Sequence, residues 1–137
     1  MPVQAIAKGV RMSPRKVGVV AALVRGRTVA DALVILEHTP RRSAEPVAKV
    51  IASARANAEH NHNLKPDTLK IVEISVSPGQ RLKRYRPAAR GRANPFMRRT
   101  SHIRVVVDGE ARVAKKVAEK QADTKAAAKP AAKKEAK

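Results

Sequence analysis

A chain of 137 residues has room for one domain, and a net charge of +19, from 30 Lys and Arg against 11 Asp and Glu, far exceeds what solubility requires. Self-repulsion of that size calls for a polyanionic partner, with a phosphate backbone the natural candidate. The lack of Cys excludes disulfides, thiolate metal sites and cysteine nucleophiles and fits a reducing cytosol, while one Tyr, one Phe and no Trp leave no platform for stacking unpaired bases, so recognition should lean on phosphate and shape.

Residues 3 to 10 alternate loosely and read as a short strand, weakened by alanines. Ser13-Pro14 supplies an N-cap and a first-turn proline, and Val17, Val20, Ala21 and Val24 repeat at helical spacing until Gly26. The apolar run Val17 to Val24 is about eight residues where a membrane span needs ~20. Charges on both sides, Arg15-Lys16 and Arg25-Gly26-Arg27, and the lack of a small-residue cleavage site also argue against a secretory leader.

A second helix starts at Thr28, where Asp31 makes a capping-box-like pair, and Val29, Ala32, Leu33 and Leu36 line one face up to Thr39-Pro40. A third starts near Ser43 with Pro46 in its first turn, buries Val47, Val50, Ile51, Ala54 and Ala58, and should end between Asn61 and Asn63 before the turn Lys65-Pro66-Asp67. Val72, Ile74 and Val76, and later Ile103, Val105 and Val107, alternate with their neighbours as two strands that would pair antiparallel and bury one face on the helices. The class is therefore α+β.

Between those strands, residues 78 to 101 carry Arg81, Lys83, Arg84, Arg86, Arg90, Arg92, Arg98 and Arg99 and no acid. Loops kept only for solubility mix both signs, so this stretch reads as a polyanion-binding hairpin arm protruding from the body. Its tip lies near Pro87 to Arg92, and about a dozen residues per side give a reach of roughly 40 Å. With no core of its own, it should order against RNA. Gly79, Gly91 and the alanines 88, 89 and 93 would permit close backbone approach and a tight tip. Residues 1–110 form the domain, and 111–137 a Lys/Ala-rich tail expected to be disordered when free.

His60-x-His62, with Glu59 and Asp67 near, has poor spacing for one helix face and no second ligand pair, so no metal is expected; His38 and His102 read as surface or RNA-facing. No nucleophile motif, phosphate-cradling Gly-rich loop or converging carboxylate pair points to catalysis, and no cofactor is expected. The competing reading is a DNA-compacting nucleoid protein with basic arms, here carrying Asn94-Pro95, since an arm proline can wedge a base step. Such proteins dimerise through aromatic-rich interfaces, whereas Tyr85 and Phe96 both lie in the arm, so no homo-oligomer is expected.

Met12-Ser13-Pro14-Arg15-Lys16, Val24-Arg25-Gly26-Arg27, Ala56-Asn57-Ala58-Glu59-His60-Asn61, Gly91-Arg92 and Arg99-Thr100-Ser101-His102-Ile103 occur in this order across residues 3 to about 108. This pattern resembles the universal large-subunit ribosomal protein twenty-two family. The resemblance implies three helices packed on a small three-stranded antiparallel sheet, and a structural, cytoplasmic role in the ribosome that binds large-subunit rRNA and supports assembly. It further implies neighbouring ribosomal proteins as partners and a hairpin tip that helps line the tunnel for the nascent peptide. Carried over by position, Ser13, Arg15, Lys16, Arg25 and Arg27 would dock the body and Arg81 to Arg99 would hold rRNA along the arm. Ala88, Ala89, Arg90, Gly91, Arg92 and Ala93 would face the tunnel. One departure is Ala88, where the family commonly has a basic residue after the hairpin proline.

Overall fold

The computed structural model describes residues 2–111, so all of the expected tail except Ala111 lies outside them. Strand β1 (Val3–Val10) leads into helices α1 (Pro14–Val24), α2 (Val29–Glu37) and α3 (Ala44–His62). A 3-10 turn over Pro66–Thr68 precedes β2 (Lys70–Pro87), a second 3-10 turn over Ala89–Gly91 makes the tip, and β3 (Ala93–Asp108) returns. The sheet is antiparallel in the order β1-β3-β2, so the last strand is central. The architecture is the expected α+β arrangement of three helices, three strands and a long hairpin.

The helices form where periodicity and start signals agree. Helix α1 buries Val17, Val20, Ala21 and Val24, the four residues its spacing selects. At the start of α2 the Thr28 hydroxyl accepts from the Asp31 N–H at 3.2 Å and donates to the Asp31 carboxylate at 2.6 Å, satisfying one of the free N–H groups of the first turn. Helix α3 buries the predicted stripe together with Ala44 and ends at Asn63, whose φ of 50° and ψ of 40° make a left-handed cap. It starts at Ser43, as expected, though without a side-chain cap. Ser43 is itself in helical conformation and its side chain makes no cap bond, because its hydroxyl donates to the Lys16 carbonyl at 3.3 Å and so ties the start of α3 to the first turn of α1.

Helix α3 lies against β1 and β3, α1 against β2, and α2 against α3. Between them Val17, Val29, Val47, Ile51, Leu69, Ile103, Val105 and Val107 are fully buried. Strand β2 corrects the simple alternation. A bulge places Ile71 opposite Val107 and Glu73 opposite Val106, leaving Val72 as the extra residue. Ile71 and Ile74 therefore face the core, and Val72, expected inside, is 61% exposed. Leu64 and Leu69, which flank the predicted turn, are also core, held there by backbone bonds from the Lys65 N–H to the Glu110 carbonyl and from the Val29 N–H to the Leu69 carbonyl.

Candidate nucleic-acid interface

Two more bulges shape the place where the arm leaves the body. Ala7 pairs Ile103 and Val10 pairs Ser101 on one side of β3, while Pro78 pairs Ser101 and Arg81 pairs Arg99 on the other. Both edge strands thus carry an extra residue at the same level, which increases local twist and re-aims the ribbon. His102 fills this joint. Its Nδ1 accepts the Gly9 N–H at 3.0 Å, next to the left-handed φ of +71° at Gly9, so the half-buried ring ties β1 to β3 at this joint. Opposite, a Cβ on Gly79 would lie 2.6 Å from the Thr100 Oγ1, and that hydroxyl donates to the Gln80 carbonyl at 2.8 Å.

Beyond this joint the ladder continues from Arg81↔Arg99 to Pro87↔Ala93. Ten residues from Pro78 to Pro87 span about 33 Å, a little less than the dozen expected. Directly opposed residues share a face, so Arg81, Lys83 and Arg99 lie with Tyr85 and Met97 on one face, and Arg84, Arg86 and Arg98 lie with Phe96 on the other. Each face carries three cations, and neither is apolar enough to pack on a protein layer. The Arg86 and Arg98 guanidinium carbons stand 5.1 and 5.7 Å from the Phe96 ring centroid, within cation–π range, which stiffens that face. The arm's Arg residues are all exposed.

At the tip the Ala88 N–H donates to the Arg92 carbonyl at 2.7 Å, closing a five-residue turn. Arg90, with φ of 57°, and Gly91, with φ of +68°, are both left-handed. For Gly91 this costs nothing, whereas for Arg90 it costs on the order of 1 kcal/mol and presents its side chain at the extremity. Ala89, Arg90, Gly91, Arg92 and Ala93 are exposed and Ala88 is half-buried.

The expected docking residues of the body separate into two groups. Ser13, Arg15 and Lys16 stand at the start of α1, whereas Arg25 and Arg27 stand past its end, about 16 Å away along the helix. The second group is partly engaged in the fold: Arg25 Nη2 donates to the Ile74 carbonyl at 3.2 Å, tying α1 to β2, and Arg27 Nε donates to the Leu23 carbonyl at 3.0 Å. Beside the first group the fold adds Arg11, Arg41 and Arg42, which sequence reasoning did not select. The available signal was Arg41-Arg42 directly after Pro40 in a helix-to-helix loop. Among the described residues no three His, Asp or Glu gather as a metal site.

A family model described as "Ribosomal protein L22p/L17e" matches residues 5–108, the whole arm and nearly all of the body. The chain belongs to this family. Among curated relatives, the large ribosomal subunit protein uL22 of Desulfitobacterium hafniense is 55% identical over 104 residues, covering 76% of this chain and 91% of that protein. The uL22 of Clostridium novyi is 52% identical over 111 residues, covering 81% of this chain and 100% of that protein, and that of Herpetosiphon aurantiacus is 49% identical over 108 residues, covering 79% and 96%. In this L22p/L17e family member the match ends at Asp108, where β3 ends.

Proposed function

We propose that this chain binds large-subunit rRNA with its arm, supports assembly of the subunit, and helps line the nascent-peptide tunnel with residues 88–93. As a member of its family it is a structural, non-enzymatic constituent of the large ribosomal subunit in the cytoplasm, with rRNA and ribosomal proteins around it. The observation that carries the RNA reading is the division of Arg81, Lys83 and Arg99 from Arg84, Arg86 and Arg98 onto opposite faces of one acid-free ribbon. A protein docking on a flat polyanion needs cations on one face only; a ribbon cationic on both is suited to a cleft with phosphates on each side. Arginine suits such contacts because its planar fork holds phosphates bidentately. Ser13, Arg15, Lys16, Arg25 and Arg27 orient the body, and Ala88, Ala89, Arg90, Gly91, Arg92 and Ala93 stand at the end of the reach. Residues 1–110 act as the domain that docks, and the tail beyond it as diffuse counter-charge.

Sedimentation of cell lysate through sucrose at moderate and then high salt tests this. The protein should travel with the large subunit at salt that strips merely electrostatic binders. Release at moderate salt, or migration with chromosomal DNA, would sink the rRNA reading and favour a nucleoid protein. Deleting 88–93 should leave docking to rRNA largely intact and change the tunnel wall; complete loss of assembly would contradict that division of labour.

A further inference from the structure

We infer that His102 is the positioning residue of the arm: its neutral imidazole, accepting at Nδ1, pins the ribbon's angle to the body, and a second proton on the ring releases it. The central strand β3 meets a bulge on each side at this level, with Lys8 and Gly9 of β1 opposite His102 and Gly79 and Gln80 of β2 opposite Thr100. A bulge leaves backbone groups without a ladder partner. Here two side chains of β3 take them over. His102 Nδ1 accepts the Gly9 N–H at 3.0 Å, and Thr100 Oγ1 donates to the Gln80 carbonyl at 2.8 Å. The imidazole also reaches the other edge strand: a Cβ on Gly79 would lie 3.2 Å from both its Cε1 and its Nε2, so the ring spans the joint from β1 to β2.

Of these two pins only the imidazole changes charge. A neutral imidazole has one N–H and one bare nitrogen, and since Nδ1 accepts, the hydrogen is on Nε2. A proton taken from solvent onto Nδ1 turns the acceptor into a donor that faces another donor, and the bond to Gly9 is lost. The charged groups around the joint do not replace it. Alternation puts His102 on the face of the sheet opposite the buried Ile103 and Val105, where Arg104 is its charged neighbour along β3. Lys8 adjoins Gly9 on β1 and Arg81 follows the bulge on β2, while Glu73, the nearest acid on the ladder, stands opposite Val106, four positions along β3. No acid of the sheet is therefore placed to hold an imidazolium in the joint. With β1 released, the arm turns about the Thr100 pin alone. Over an arm of about 33 Å, a turn of about 10° at the root sweeps the tip through about 6 Å. For its consequence the inference rests on the RNA reading above: body and arm can meet one RNA together only when the angle between them is fixed.

The test uses the full chain without RNA. The chain has no Cys, so A52C/A89C puts one spin label on an exposed site of α3 and one at the tip. The distance distribution between them is followed beside the ring signals of His102 from about pH 8 to about pH 5. It should be narrow while His102 is neutral and broaden in step with its protonation, and protection of the Gly9 amide from exchange should fall roughly tenfold over the same range. His102→Asn, whose Oδ1 stands at about the place of Nδ1 and takes up no proton, should stay narrow throughout. His102→Phe, which fills the joint without accepting, should be broad throughout. A distribution in the unsubstituted chain that ignores the titration of His102, an H102N chain that broadens in the same way, or an H102F chain that stays narrow would each overturn the inference. None of these readouts involves RNA, so that failure leaves the arm's binding of rRNA standing. An arm that follows His102 as expected, in a chain that leaves the large subunit at moderate salt, would count against the RNA reading alone.

Discussion

The body and the arm share one strand pair and are held together by different physics. In the body, β2 and β3 carry Ile71, Ile74, Ile103, Val105 and Val107 against three helices, all nearly or fully buried. Past Arg81 and Arg99 the same two strands bury nothing, and order rests on the backbone ladder, the Phe96 stack and the tip turn. A two-stranded ribbon alone is marginal in water, so the support that the fold itself gives the arm is the continuity of its root with a packed sheet. The difference teaches where each property resides: stability in the part of the ladder that helices cover, and the contact proposed for this chain in the part that they leave bare.

The comparison breaks most visibly if the core is opened. Ile51→Ala on α3, at 0% exposure, should cost about 2–5 kcal/mol and lower the chemical-denaturation midpoint by a corresponding amount. A loss below about 1 kcal/mol would mean that α3 is not the body's central support.

The junction offers the next test. Gly79→Val places side-chain atoms where even a Cβ lies 2.6 Å from Thr100 Oγ1 and should cost about 1–3 kcal/mol, with partial recovery when Thr100→Ala is added. Unchanged stability would show the arm swinging freely at its root. Within the arm, Phe96→Leu removes a ring that two guanidinium groups cover and should weaken the ribbon locally by about 0.5–1 kcal/mol. The expected reading is faster amide exchange along residues 84–98 with an unchanged midpoint for the body; a shifted midpoint would mean arm and body unfold as one unit.

The smallest effect concerns the surface of the body. The Lys49 ammonium, hydrogen-bonded to Glu45 and adding its charge, holds that carboxyl below the ordinary carboxylate range, with Arg42 contributing less. A lowered folded-state pKa stabilises above the unfolded value, and that contribution disappears as pH falls through the folded one. Both side chains are more than two-thirds exposed, so Glu45→Gln should leave the thermal midpoint at neutral pH within experimental error. A clear loss there that vanishes in acid would reveal an ion pair stronger than its exposure allows.

Much of this architecture was legible in the chain because its signals are local. Helical spacing selected the buried residues of α1 and the stripe of α3, Thr28 with Asp31 marked the start of α2, and charge sign alone delimited the arm. Family motifs carried the three-stranded sheet. What periodicity mistook were positions where a ladder adds a residue: alternation put Val72 inside, and the bulge at Ile71/Glu73 turned it out. Likewise no local signal shows that the Ser43 hydroxyl reaches Lys16, 27 positions away, or that His102 accepts from Gly9, 93 positions away.

By itself the sequence determined the chain's own charge, the helices, the strands and the acid-free arm, since each depends on residue type and on neighbours within a turn or a strand. Only the tertiary structure decided which cations share a face of the ribbon, how the two edge strands bulge together at its root, and that Arg11, Lys16, Arg41 and Arg42 surround one hollow. Those are relations between segments distant along the chain. They are set by strand register and by how helices pack on the sheet, and a one-residue change in register would reassign every face.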